Sequence, residues 1–272
     1  MISPSSAHPG VTVVTAVRNG RATLEDTIRS VFAQTYSDVD HLVVDAASTD
    51  GTQEMLAGFG ARVRWVSEPD RGPYDGMNKG IGMVEDPLRY IVILNADDML
   101  YAPDTVESMM KGSAGEDFLY GRLDRLDEEL NYRDVIGREV QGRMLLYGMR
   151  CHHQTVFCRR AVFDRIGRFD LQYRIAADYD WVLRAFHDSG VSRRFVPVTV
   201  ATMRRGGLSD VRYLDSVRER RRIVRRRFPF VDLVRYTLWT GFGDYGRFWL
   251  QQALRRLGLL NAVRRGAKAV RR

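Results

Sequence analysis

Two periods of apolar residues alternate along the first half of the chain. "VTVVTAV" (11–17) and "HLVVD" (41–45) are β-branched runs of the length of a buried strand, and residues 24–34 between them carry apolar side chains at a spacing of roughly 3.6. That spacing predicts a helix. The order then repeats: a short helix after "STDGT" (48–52), a strand at "VRWVS" (63–67), and a helix over Tyr74 to Val84 leading into the strand "YIVIL" (90–94). A further helix, Asp104 to Lys111, leads into "FLYG" (118–121). Strands alternating with helices predict an α/β fold, with a mostly parallel central sheet flanked by helices.

In such sheets ligands gather at the carboxyl ends of the strands. The polar clusters fall there: Arg18 and Asn19 after the first strand, Asp45 after the second, residues 68–72 after the third, and residues 95–98 after the fourth. Beyond Gly121 the alternation fades, and a second polar focus appears at "RCHHQTVFCRR" (150–160) and "YRIAADYDWVLRAF" (173–186). No internal repeat is present.

Charge divides the chain again. The net charge is +8 over 272 residues, yet residues 1–211 hold 25 Lys and Arg against 30 Asp and Glu, while residues 212–272 hold 17 against 4. The basicity belongs to the tail. A nucleic-acid binder would spread basic and aromatic residues over its main domain, so that function is not expected. Cys151 and Cys158 form no CxxC and no Cys/His zinc spacing, which predicts neither a disulfide scaffold nor a structural metal site, in a reduced cytoplasmic setting. "MISPSSAHPG" has neither the positive start nor the apolar core of a signal peptide, and no run of about 18 apolar residues occurs.

The candidate chemistry begins with Asp97 and Asp98, side by side at a strand end. Hard oxygen ligands suit Mg²⁺ or Mn²⁺, ions that commonly bind one or two carboxylates plus substrate phosphates. The same pair also suits a turn in which Asp98 caps the next segment. In "SEPDRGPYDGMNKG" (67–80), Gly72 and Pro73 bend the chain, and a helix starting near Tyr74 offers backbone N–H groups to an anion, with Arg71 and Lys79 adding positive charge. An ordinary loop and helix cap has the same composition.

Taken in order, "VTVVTAVRNG", "TIRSVFAQTY", "HLVVDAASTDGT", "VSEPDRGPYDGMNKGIG", "YIVILNADD" and "IAADYDWVLR" resemble the family 2 glycosyltransferases of GT-A fold, in their bacterial polysaccharide and glycolipid branch. The resemblance covers roughly residues 10–210. It implies a nucleotide-sugar donor (UDP-, GDP- or dTDP-linked), a divalent Mg²⁺ or Mn²⁺ on its diphosphate, and a saccharide or lipid-linked acceptor. Carried over, Thr15 and Val17 flank the base with Arg18 beside them, Asp45 lies near base or ribose, Asp97 meets the ribose, and Asp98, with Asp97, holds the metal. Asp70, Arg71, Asn78, Lys79 and Asn95 complete the donor side. Ala46 stands where many relatives have a second acid that contacts uracil, and Asn95 where many have an aspartate, so the nucleobase is left unassigned.

Inverting transfer to a hydroxyl needs a group to accept the acceptor's proton. Asp178 matches the family's base, at the start of an amphipathic run where a carboxylate also suits a helix cap. His153, Tyr179 and Asp180 fall on the acceptor side, although a histidine there is as readily structural. Trp181, Leu183 and Phe186 read as core. "RRGGLSD" (204–210) reads as a loop closing over the donor. The expected division is a flexible start (1–10), a nucleotide-sugar-binding half (11–120), an acceptor-binding half of the same domain (121–211) and a basic, helical extension (212–272). In that extension Arg218 and residues 220–222 and 225–227 precede Phe228, Phe230, Trp239, Phe248, Trp249 and Leu250. Such a mixture suits an anionic membrane surface, hence a cytoplasmic protein peripheral on the inner membrane face, or simply a solvated helical face. The alternatives are a non-catalytic sugar-nucleotide-binding protein and a nucleic-acid or membrane-surface binder acting through the tail.

Overall fold

A computed structural model of the chain describes residues 9–128, 131–207 and 211–242, together with 246. In chain order these form β1 (Val11–Val17), α1 (Leu24–Phe32), β2 (Val39–Asp45), α2 (Thr52–Gly58), β3 (Arg64–Ser67), α3 (Pro73–Gly82), β4 (Tyr90–Ile93), β5 (Met99–Leu100), α4 (Thr105–Lys111), β6 (Phe118–Asp127) and β7 (Tyr132–Ile136). Then come β8 (Val156–Arg159), α5 (Arg160–Ile166), α6 (Ala177–His187), β9 (Arg193–Arg204), α7 (Tyr213–Arg227) and α8 (Phe230–Phe242). The helices and strands read from periodicity all appear, with most ends shifted by a residue or two as caps fray, while the strand read at 118–121 runs on to Asp127.

The strands form one sheet in the order β3-β2-β1-β4-β8-β6-β9-β5, with β7 off that path, antiparallel to residues 123–127 of β6. β1 to β4 are mutually parallel, while β8 enters antiparallel between β4 and β6. β6 and β9 again run parallel to each other, and the short β5 closes that edge antiparallel. Because β6 runs through residues 120 and 121, the two halves of the domain share this sheet.

Pleating sorts β1 between two cores. Val14 joins Leu42, Met77, Ile81, Ile91 and Trp181 on one face, and Val11 and Val13 join Tyr90, Val92, Val106 and Met109 on the other. A strand buried on both faces is why "VTVVTAV" reads as a continuous apolar run. Under α1 and α2 a third cluster gathers Val17, Leu24, Ile28, Val43 and Leu56. The basic extension is not a free arm. Ile223 and Val224 of α7 and Tyr236 of α8 are buried in the same core as Trp181, and Val217 of α7 is buried as well.

Helix α3 sits unusually close to β1. Pro73 at its first turn pre-sets the helical φ, and Gly72 before it has φ 124°, a conformation that favours glycine. A Cβ on Gly80 would lie 2.4 Å from Val14 Cγ1 and one on Gly76 would lie 2.9 Å from the Ala16 Cβ, so glycines four apart let the helix approach the strand. Gly80→Ala should therefore destabilise by about 1–3 kcal/mol through overpacking against a stiff valine. Gly58, at the end of α2, has nothing within 4 Å of such a Cβ, and Gly58→Ala should be neutral or stabilising by up to about 1 kcal/mol. Urea unfolding of the two variants checks the contrast.

Candidate active site

Asp178 is the second residue of α6, one turn-position inside the cap Ala176, so it does not itself cap the helix. Its Oδ1 accepts hydrogen bonds from Tyr74 Oη at 3.0 Å and from Tyr179 N at 2.8 Å, and its Oδ2 lies 3.0 Å from His153 Nδ1. Burial disfavours its charge, but His153, the Tyr179 N–H and the Tyr74 hydroxyl outweigh that and hold the carboxyl below its ordinary range. The side chain keeps 18% of its surface exposed, enough for a substrate oxygen to reach it. It is an ionised carboxylate at neutral pH, fixed in one orientation.

The contact continues across the sheet. His153 Nε2 lies 3.3 Å from Asn95 Oδ1, and Asn95 Nδ2 donates to Asp98 Oδ2 at 2.9 Å. Gln154 Nε2 donates to the same oxygen at 3.1 Å, and the Arg204 N–H reaches Asp98 Oδ1 at 3.3 Å. A line of close polar contacts therefore joins Asp178 to the acid pair. β8 makes this possible, because its antiparallel entry beside β4 delivers His153 and Gln154 to the end of that strand.

The two acids differ. They lie in a tight turn closed by Asp98 N to Asn95 O at 3.1 Å. Asp98 is 1% exposed and its carboxylate is engaged by Asn95, Gln154 and Arg204, so it faces inward rather than capping the following segment. Burial, and then the neighbouring Asp97 charge, push its pKa up to about 7. Asp97 is partly exposed, and among the described residues no side chain donates to its carboxylate. Its pKa is raised by burial, against the pull of Arg204 and His153. Asp97 thus has the carboxylate left unengaged at this strand end, and oxygen atoms of that kind fit Mg²⁺ or Mn²⁺. Among the described residues no group of three or more His, Cys, Asp or Glu could hold a metal alone, so phosphate and water oxygens would complete the shell.

Several expected donor-side residues turn their side chains elsewhere. Thr15 is fully buried with its hydroxyl 3.1 Å from His41 Nε2, and Val17 packs in the cluster beneath α1, so only their backbones can approach a base. Asp45 is buried beneath Ser48 and Ser67. It accepts from Ser48 N at 3.0 Å, from the Ser48 hydroxyl, and from Ser67 Oγ at 2.6 Å. Asn78 bonds both ways with the Phe169 backbone, at 2.8 and 2.9 Å, and so pins the segment before α6 rather than a ligand. Lys79 ties Pro69 O at 2.7 Å and Glu68 at 2.8 Å, which shapes the loop instead of extending to a phosphate. Asp70 accepts the Gly72 N–H, and Arg71 pairs with Asp75 at the surface.

On the acceptor side two expectations are corrected. Tyr179 is buried with its hydroxyl on Leu145 O at 2.6 Å, and Asp180 is fully buried between Arg184 and Arg227, each 2.9 Å away. Both point away from the cleft because they follow Asp178 on other faces of the helix. Trp181 stacks on Phe163 in the core, as expected. Of "RRGGLSD", residues 208–210 lie outside the described residues, as do Phe248, Trp249 and Leu250.

An open cleft of about 400 Å³ lies beside Tyr74, lined by Arg18, Asp70, Arg71, Tyr173, Arg174 and Arg212. Arg18 is exposed at its edge, unpaired among the described residues. A second cleft of about 460 Å³, lined by Thr12, Asp40, Arg64 and Arg89, opens at the amino ends of the strands, opposite the acids. Position at the carboxyl ends makes the first the candidate site.

The sequence model described as Glycosyl transferase family 2 matches residues 12–169. The chain belongs to glycosyl transferase family 2. A PGL/p-HBAD biosynthesis glycosyltransferase of Mycobacterium bovis is 32% identical over 212 residues, covering 75% of this chain and 80% of that protein. An uncharacterized glycosyltransferase of Mycobacterium tuberculosis is 34% identical over 188 residues, 66% of this chain and 70% of that one. Among solved structures, S. aureus TarS 1-349 in complex with UDP-GlcNAc superposes with TM-score 0.63 at 13% identity, covering 92% of this chain and 78% of that one. The mannosyltransferase PcManGT from Pyrobaculum calidifontis, in complex with GDP-Man and Mn²⁺, gives 0.61 at 16%, covering 94% and 85%. These likenesses establish the glycosyltransferase GT-A fold.

Within this glycosyltransferase, sequence reading missed Tyr74 as a partner of Asp178 and Gln154 as a partner of Asp98. Their signals were present: Tyr74 lies in the quoted "GPYDGMNKG" and Gln154 directly follows His153. Asp98 also gives a pH signature. A carboxyl whose folded pKa lies above its unfolded value contributes stability below about pH 4, and that contribution is lost as pH rises to about 7, up to about 4 kcal/mol. The metal-free protein should lose more stability between pH 5 and pH 8 than its Asp98→Asn variant, read as the difference between their urea midpoints.

Proposed function

We propose that this glycosyltransferase moves a sugar from a nucleotide-diphosphate donor to a hydroxyl of a saccharide or glycolipid acceptor with inversion, using Asp178 as general base. The observation that carries the reading is the line of close polar contacts from Asp178 through His153 and Asn95 to Asp98, with Asp97 open beside it. It sets a proton acceptor and a cation-binding carboxylate at one end of one sheet.

In this reading Asp178 takes the acceptor hydroxyl's proton as that oxygen bonds to the anomeric carbon, while the bond to the donor's phosphate oxygen breaks and its electron pair leaves with the diphosphate. His153 and Tyr74 hold the base in place. Asp97 leads as metal ligand, with Asp98 buried behind it as a second acid. A divalent cation bound there would neutralise the departing diphosphate. The donors in the similar solved structures, UDP-GlcNAc and GDP-Man, make a uridine or guanosine sugar the first candidates, with dTDP-sugars beside them.

A thermal-shift panel of UDP-GlcNAc, GDP-mannose and dTDP-glucose, each with and without Mn²⁺, tests the donor site. Asp97→Ala should remove the Mn²⁺-dependent part of the shift. Asp178→Asn should keep the shift but lose about 10²–10⁴ in turnover. Full turnover in that variant would rule out the base assignment.

The extension supports a second element of the proposal, peripheral contact with an anionic membrane. Phe230, Val234 and Leu238 recur every four residues on α8 and are 78%, 42% and 60% exposed, close in sequence to the exposed Arg221 and Arg225. Among the described residues no helix is long and apolar enough to cross a membrane. The protein should sediment with phosphatidylglycerol vesicles and not with pure phosphatidylcholine. A Phe230→Ser, Leu238→Ser double variant should stay in the supernatant.

A further inference from the structure

Helix α6 begins without a cap of its own. Ala176 occupies the cap position and makes no side-chain hydrogen bond, and alanine is among the poorest residues there. Its place is filled from 43 residues further along the chain. Glu219 of α7 accepts the N–H of Arg174 on Oε1 at 2.9 Å, and those of Ile175 and Ala176 on Oε2, each at 2.9 Å. Three successive backbone donors on one carboxylate make a charge-assisted clamp at the positive end of the helix. From the other side Tyr74 Oη spans Ile175 O at 2.7 Å and Asp178 Oδ1 at 3.0 Å. The segment leading into the base is thus held between α3 and α7.

We propose that Glu219 is a positioning residue for Asp178, acting through the backbone of residues 174–176, so that the basic extension completes the catalytic geometry. The proposal rests on Asp178 being the base. It explains why an acid stands within a stretch that has 17 basic residues against 4 acidic ones. It also gives α7 a role separate from any membrane contact, since the apolar residues exposed on α8 take no part in the clamp. The same clamp fixes Arg174, which lines the cleft beside Tyr74.

Hydrogen–deuterium exchange on the full chain decides the first half without any substrate. In Glu219→Ala the amides of residues 174–176 should exchange about tenfold faster or more, and in Glu219→Gln, which keeps one accepting oxygen, by less. Unchanged exchange in Glu219→Ala would overturn the proposal. Nucleotide release from UDP-GlcNAc or GDP-mannose with Mn²⁺ then reads the second half. Glu219→Ala should lower kcat about 10–100-fold with donor KM nearly unchanged, and Glu219→Gln should recover part of it. In an Asp178→Asn background Glu219→Ala should cost nothing more, because both act through one group. Losses that multiply would show Glu219 acting independently of Asp178. If Asp178→Asn alone kept full turnover, the base assignment would fail while the exchange result still judged the clamp.

Discussion

The working end of the fold depends on keeping a buried carboxylate supplied with donors. Asp98 has almost no contact with water, and a carboxylate in that position is tolerable only with hydrogen bonds to its oxygens. Its donors come from three separate parts of the chain: Asn95 from its own turn, Gln154 from the approach to β8, and the Arg204 backbone from the end of β9. Meeting that need draws β8 and β9 to the carboxyl end of β4. His153 arrives with Gln154, and through His153 comes Asp178. The acid pair that looks like a ligand site in the sequence is, for one of its members, an organising centre.

Much of this was legible in the sequence and part of it was not, for identifiable reasons. Strands β1, β2 and β4 could be read because they are largely buried, and β3, at the sheet edge, because it shares their β-branched run and polar end, a pattern that survives without knowledge of neighbours. Beyond residue 121 the sheet turns mixed, and β8 pairs between strands that do not adjoin it in sequence. No local period records that. The side-chain roles divide likewise. Asp178 and the acid pair could be singled out because the motifs that carry them are local, and the structure brings them to one end of the sheet. Asn78, Lys79, Tyr179 and Asp180 carry the polarity of binding residues but satisfy partners such as Phe169 and Arg227, which sequence spacing does not reveal.

The arginine-rich extension shows the same limit from the other side. Counted by charge it is a cationic arm, yet α7 buries Val217 and contributes Ile223 and Val224 to the core, and Arg227 neutralises the buried Asp180. Arg226 reaches Tyr173 Oη at 3.1 Å and Gln172 Oε1 at 2.6 Å. Some of the positive charge is therefore used inside the molecule, on the segment that carries Asp178, and only the remainder faces outward. Net charge describes what a partner sees only after these internal pairs are set aside.

The departure at Asn95 is consistent with the same geometry. The position must accept from His153 on one side and donate to Asp98 on the other, and an amide is a side chain of that size able to do both. An aspartate there could still accept from His153 but would set a second anion 2.9 Å from the Asp98 carboxylate, in a place already made unfavourable for charge by burial and by Asp97. Keeping His153 bonded to Asp178 while Asp98 is buried therefore favours the amide. The amide at position 95 and the contact that links Asp178 to the acid pair are two aspects of one arrangement.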